Sequence, residues 1–296
     1  RDKLSQCFIK EQQAGRTFEG EYGHYVHLDV THLGEKEINK KIPFVRELSR
    51  NYVGIDPVYE PIPVRPVLHY VMGGIHTDIN GATSMPGLFA VGECACVNIN
   101  GANRLGSNSL TELLVFGARA GQEAVNFAAA QSKPQTGPLE AQVRDEQQRI
   151  AGQFINKTGG TERLVTLRTE MNEAMESGVG IYRDAAGTQA ACDKMAELQD
   201  RFQHVSLDDH SLSFNTELTA ALELENMLDI ARASSLAANV RQESRGAHQR
   251  TDFPPPRDDD NWLKHSLAFR TDDGPRIEHL DVTITRWPPA KRTYGS

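Results

Sequence analysis

The chain has 296 residues, of which 39% are hydrophobic and 24% charged, with a formal net charge of −8. That length is room for two or three ordinary domains, and the composition can bury a core of real size. The acidic balance excludes a basic nucleic-acid footprint as the main role. No apolar run approaches the roughly 18 residues of a membrane span, so a membrane role has to be peripheral, through a partner.

The first residue is Arg1 and no signal peptide precedes it, so the chain reads as a fragment that begins inside a larger protein. The four cysteines, Cys7, Cys94, Cys96 and Cys192, are too few for a disulfide scaffold. Cys94 and Cys96 lack the CxxC spacing of a zinc site, and thiols in a reducing cytoplasm are the expectation.

In chain order, Leu4, Cys7 and Phe8 sit at helical spacing and Gly15 reads as a stop. Tyr25 to Val30 alternates as a strand does. Residues 35–50 predict a charged surface helix, bent or interrupted near Pro43. Pro57, Pro61, Pro63 and Pro66 predict an extended connector and a boundary. Gly87 to Glu93 is a short apolar run that suits a buried parallel strand. A polar glycine loop from Asn98 to Asn108 follows, then a helix from Ser109 to about Ala130. Charged amphipathic segments at about 138–156, 161–204 (broken near Gly178–Gly180) and 216–243 predict a helical bundle. A proline-rich loop, Phe253 to Asp260, leads to an alternating strand from Leu280 to Thr285, and Asp258-Asp259-Asp260 reads as a solvated loop.

Small residues in Gly101-Ala102-Asn103-Arg104-Leu105-Gly106-Ser107-Asn108-Ser109-Leu110 allow close backbone approach to a ligand. Ser109 is placed at or near the N-cap of the next helix, whose free N–H groups suit an anion or an electron-rich ring edge. By themselves these residues also describe an ordinary tight turn. His69 beside Met72-Gly73-Gly74 can project into a cleft, or pack on its own Tyr70 and Met72. Together, a strand ending in Glu93, a loop presenting Arg104 and a helix starting near Ser109 suit a dinucleotide, the acid holding ribose hydroxyls. No GxGxxG is present, so the phosphate loop of such a site is expected upstream of Arg1. His24, His27 and His32 match no metal-site spacing and read as packing or surface residues.

Six motifs in order then give a resemblance that covers essentially the whole chain. They are Arg1-Asp2-Lys3; Arg65-Pro66 with His69-Tyr70 and Met72-Gly73-Gly74-Ile75; Leu88 to Cys94; Gly101 to Leu110; Glu243-Ser244-Arg245-Gly246-Ala247-His248; and Pro288 to Gly295. They resemble the second half of the flavoprotein subunits of bacterial fumarate reductases, which are similar to those of succinate dehydrogenases and more distantly to L-aspartate oxidases. His76 after Gly74-Ile75, and the Pro-Pro-Ala-Lys-Arg ending, lean toward the reductases.

The resemblance implies an α/β plus α architecture: the end of a capping domain (1–63), the closing segment of a doubly wound FAD-binding domain (64–130), a helical domain (131–243) and a small C-terminal domain (244–296). It implies that His69 and Arg104 hold a fumarate carboxylate and that Arg1 delivers the proton. Glu93 would hold ribose or ribityl hydroxyls of FAD, with His69, Arg104, Ser109 and Leu110 along the flavin. The flavin-linking histidine and the proton relay are expected upstream. The implied partners are fumarate or succinate, an iron–sulfur subunit and membrane anchor subunits, at the cytoplasmic face of the inner membrane. The Glu243–His248 motif reads as a structural corner with Arg245 in a salt bridge. The chain alone is expected to be inactive and to expose apolar faces of the 64–130 segment. The readings left open are the dehydrogenase, the oxidase and a non-catalytic helical scaffold.

Overall fold

The computed structural model describes residues 2–21, 23–132 and 136–290. Contacts divide the chain into two units, the first ending at Tyr70 and the second beginning at Val71.

The first unit opens with helix α1 (Asp2–Gln13), followed by Gly15 at φ 68°. Strands β1 (Phe18–Gly20), β2 (Gly23–Leu28) and β3 (Ile62–Val64) form an antiparallel sheet in that order. Phe18 stands opposite Tyr25, and Val26 opposite Val64. The strand expected at 25–30 thus starts and stops two residues early. Asp29 leaves the ladder because its carboxylate accepts from the Thr31 N–H at 2.9 Å and the Thr31 hydroxyl at 2.7 Å, which starts a 3₁₀ turn. The interruption expected at Pro43 is real: α2 (Gly34–Lys41) and α3 (Pro43–Leu48) meet at Ile42, held at φ −138°. A residue before proline is driven out of the helical region by the ring. Arg46 ties this unit together, with a forked pair to Asp56 (3.0 and 2.7 Å) and a bond to Glu35 (2.9 Å). His24 bonds Thr17 at 2.9 Å, and the His27 ring lies 4.5 Å from that of Phe18, so both do packing work.

In the second unit β4 (Ile75–His76) runs parallel to β5 (Ala95–Cys96). The parallel pairing expected within 87–93 therefore falls just beyond it. Residues 89–90 instead bridge antiparallel to the Gly81–Ala82 turn, with Ala90 N–H donating to Gly81 O at 2.9 Å. Helix α4 (Asn108–Ala130) follows the glycine loop. Next come α5 (Thr136–Ile150), extended by a π-turn over Ala151–Ile155, then α6 (Leu164–Val179), α7 (Ala185–Phe202) and α8 (Thr216–Val240). The bundle core is fully dry at Phe154, Leu167, Met195, Leu198, Leu224 and Leu228. Short helix α9 (Asp259–Trp262) leads into a hairpin, β6 (Lys264–Thr271) and β7 (Gly274–Asp281).

Two expectations near the end are corrected. The strand placed at 280–285 stops at Asp281, which pairs with Lys264, the first residue of β6, so the ladder ends there. The three aspartates are not merely a solvated loop. Asp258 accepts from the Asn261 N–H at 3.0 Å and caps α9, while Asp259 pairs with Arg245 at 2.7 Å and Arg257 at 2.9 Å.

Candidate active site

Gly73 and Gly74 carry φ values of 140° and 137°, which L side chains rarely adopt. A Cβ on Gly74 would stand 2.4 Å from the Cys94 carbonyl oxygen, so only glycine lets this turn lie against the Cys94 backbone. There the Ile75 N–H donates to Cys94 O at 2.8 Å and begins the parallel pair. The turn is fixed at two more points. Glu93 Oε1 accepts from the Val71 N–H at 2.8 Å, and Met72 Sδ accepts from the Arg104 N–H at 2.8 Å. Glu93, at the end of its apolar run, therefore orients the turn with one carboxylate oxygen.

The glycine loop folds back on α4. Asn98, Gly101 and Ser107 all adopt left-handed conformations. Asn100 donates its amide to the carboxylate of Glu112, which is buried in the second turn of α4. The Cys96 thiol contacts Asn98 Oδ1 at 3.1 Å, and burial pushes its pKa up. Arg104 is only 7% exposed, and its Nη1 donates to Leu105 O at 3.1 Å. A guanidinium held this deep in the protein is a strong recognition point for a carboxylate, because little water competes with it.

Helix α4 starts one residue before the expected Ser109, which stands near the N-cap as expected. The N-cap residue is Ser107, at φ 66°, and its hydroxyl makes no capping bond. Ser109 lies in the first turn, half-buried, and Leu110 beside it is exposed. Ser107 was missed because serine in the left-handed region is uncommon and the preferred cap geometry is extended. The first turn holds no acidic residue, so its N–H groups and the helix dipole present a positive end.

Glu93, Arg104, Ser109 and Leu110 all belong to the second unit, in the turn before β5, on the glycine loop and in the first turn of α4 respectively. His69 is exposed and belongs to the first unit. Arg1 lies outside the described residues. Met72, as the acceptor that anchors Arg104, was not singled out for that role, since thioethers are weak acceptors.

The arrangement fits FAD. A Cβ on Gly73 would meet nothing within 4 Å, so the turn leaves open backbone beside Glu93. The positive end of α4 and the exposed Leu110 suit an electron-rich edge and an apolar ring face, respectively.

Residues 1–110 match the FAD binding domain model, and residues 168–294 match the fumarate reductase flavoprotein C-terminal model. Both models describe FAD-dependent flavoproteins, and that is the class the two matched segments resemble. Within it, the chain is a homologue of the fumarate reductase flavoprotein subunits. It is 55% identical over 299 residues to the fumarate reductase flavoprotein subunit of Mycobacterium tuberculosis (strain CDC 1551 / Oshkosh), covering 100% of this chain and 51% of that one. A solved E. coli quinol fumarate reductase chain is 50% identical with a TM-score of 0.93, over 98% of this chain and 50% of that one. The succinate dehydrogenase flavoprotein subunit of Coxiella burnetii is 36% identical over 91% of this chain and 47% of that one. The chain spans about half the length of the curated relatives it matches. Among the described residues no helix is long and apolar enough to cross a membrane.

Proposed function

We propose that this chain is part of a fumarate reductase flavoprotein subunit and carries the substrate-binding side of its active site. The observation that supports this most is Arg104. It is a buried guanidinium on a glycine loop, pinned through its own N–H to Met72 and followed directly by the positive start of α4.

Fumarate is a small dianion, and each carboxylate needs charge-assisted donors. Arg104 takes one carboxylate, and His69 donates to the same substrate. Bound FAD supplies hydride exchange with one olefinic carbon. Arg1 donates a guanidinium proton to the neighbouring carbon, where negative charge has built up next to a carboxylate. An arginine acid is workable there, because that carbon is far more basic than any ordinary side chain, and its positive charge also stabilises the transition state. One hydride and one proton convert fumarate to succinate, and the same groups run the reverse oxidation. Glu93 holds ribose or ribityl hydroxyls with the oxygen not engaged by Val71, and Ser109 and Leu110 contact the ring.

Residues 1–63 then form the end of a capping domain, 64–130 close the FAD-binding domain, 131–243 make the helical domain and 244–296 the C-terminal domain. The whole subunit docks on an iron–sulfur subunit that delivers electrons, and membrane anchor subunits hold the assembly at the cytoplasmic face of the inner membrane.

The test is Arg104→Ala and His69→Ala in the full-length complex, read as fumarate reduction with flavin content measured alongside. Loss of one charge-assisted donor to a reacting dianion lowers kcat/KM about 100-fold or more. Undiminished turnover in Arg104→Ala with normal flavin content would remove the catalytic reading and leave a helical scaffold.

A further inference from the structure

We infer that the corner from Glu243 to His248 is a positioning element for the loop that presents Arg104, and that Gly246 sets the distance between them. The inference rests on the catalytic reading of Arg104 given above and deepens it.

The corner is unusually rigid for a loop. The Glu243 side chain is 1% exposed and faces Arg241 and Arg245, each at 2.7 Å. It also accepts from the Asp258 N–H at 3.0 Å. Arg245 spans from Glu243 to Asp259, again at 2.7 Å. Residues 245 and 248 close a tight turn through paired backbone bonds of 2.8 and 3.0 Å. His248 locks the turn to the bundle. Arg183 can only donate, so Nδ1 of His248 accepts from it at 2.8 Å, and Nε2 donates to Arg241 O at 3.2 Å.

This rigid turn points its backbone at the glycine loop. The Ala247 N–H donates to Ala102 O at 2.8 Å. Gly246, at φ 59°, lies so close that a Cβ there would stand 2.5 Å from Ala102 O and 2.9 Å from the Ala102 Cβ. Ala102 is two residues before Arg104, whose own N–H is held by Met72. The short stretch from 102 to 104 is therefore gripped from one side by the corner and from the other by the Gly73–Gly74 turn. Backbone-to-backbone contact of this kind transmits position with little slack, because neither side can rotate away as a side chain can. A guanidinium that must meet a carboxylate in a forked geometry is sensitive to that position, since displacements of about 1 Å cost up to about 100-fold in rate. Gly246 and Arg245 are positioning residues, acting through Ala102.

The experiment uses the full-length, flavin-loaded complex and compares Gly246→Ala with Leu198→Ala. Leu198 is fully buried in the bundle core, in none of the contacts that hold the loop, and its truncation destabilises by leaving a cavity. Four quantities are read: flavin content, Tm, the kcat and KM for fumarate, and the Kd of malonate, a dicarboxylate with no double bond to reduce. Gly246→Ala is expected to keep its flavin while the fumarate KM and malonate Kd rise about tenfold or more. Leu198→Ala is expected to lower Tm and leave KM and Kd within about twofold. Should Gly246→Ala fail to accumulate, Arg245→Lys replaces it. That variant keeps the charge, loses the fork between Glu243 and Asp259, and is expected to raise KM and Kd in the same direction. Unchanged KM and Kd in the folded variant, or changes no larger than those of Leu198→Ala, would overturn the inference. A wild-type complex that turns over neither fumarate nor succinate would instead overturn the catalytic reading on which it rests.

Discussion

His248 is held neutral by its surroundings. Burial, with Arg183, Arg241 and Arg250 facing it, pushes its pKa down from the ordinary 6.5 to about 4. The same burial, with Arg250 near, lowers Arg183 to about 10. The sign of the resulting pH dependence follows directly. The unfolded chain takes up a proton on His248 near pH 6.5, whereas the folded chain does so only near pH 4, so this contribution to stability is complete above 6.5 and is lost as pH falls toward 4. Asp252 adds a second, more acidic loss. Its pair with Arg250 holds it at about 2, so that stability is present above its ordinary 3.8 and fades as pH falls toward 2. Melting curves between pH 7 and 4 should show the first slope, and His248→Gln, which can still accept from Arg183 and donate to Arg241 O, should flatten it. A slope unchanged by that substitution would mean that other groups cause it. These shifts were not legible in the sequence: Glu243 to His248 could be read as a corner with a bridged Arg245, but not as a histidine enclosed by three arginines drawn from 183, 241 and 250.

At the scale of elements, the helices follow their periodicity and their ends follow local chemistry. Helix α8 is the clearest case. Its apolar stripe was readable, and its start is set by Asn215, whose Oδ1 accepts from the Leu218 N–H at 2.7 Å. The same side chain donates to Asp209 O at 2.7 Å and Ser211 O at 3.0 Å, so it also ties down the preceding loop. Asn215→Ala should therefore cost about 1–2 kcal/mol for the cap alone, and more if the loop carbonyls find no water. Thermal or denaturant unfolding of the purified protein would measure it, and a loss below about 0.5 kcal/mol would show that the cap is dispensable. Strands were harder to place than helices. Residues 87–93 have the composition of a buried parallel strand, yet the chain turns at Gly92 (φ 90°) and pairs only from Ala95. A run of three or four apolar residues carries no information about which backbone will sit beside it. Ser107 shows the same limit at a helix start, because its left-handed cap depends on how the whole loop folds over Glu112.

At the scale of the whole molecule, the bundle and the segment around the candidate site, both in the second unit, differ in how they are held. The bundle buries a dry core, and Leu198→Ala in it should cost about 2–5 kcal/mol, read as a drop in Tm without a change in ligand affinity. The segment around the candidate site does not close on itself. Leu110, Leu114, Val115 and Val125 of α4 are exposed, and only Glu112 and Ala120 of that helix are buried. Apolar side chains left in water on one helix favour association and lower solubility. Residues 1–296 expressed alone should accordingly bind an apolar dye strongly and show poor solubility, and a sharp two-state melt without dye binding would contradict this.

The sequence by itself determined the flavoprotein class, the helical bundle, the break at Pro43 and the identity of the residues around the glycine loop. Those properties follow from local sterics, from periodicity and from motifs that stand close together in the chain. Only the tertiary structure decided that Arg104 is buried and pinned to Met72, that Ser107 precedes α4 in a left-handed conformation without a capping bond, and that Gly246 meets Ala102 backbone to backbone. Each of these joins residues far apart in the chain or depends on the space left by a neighbour, and neither distance nor space is written in the order of the residues.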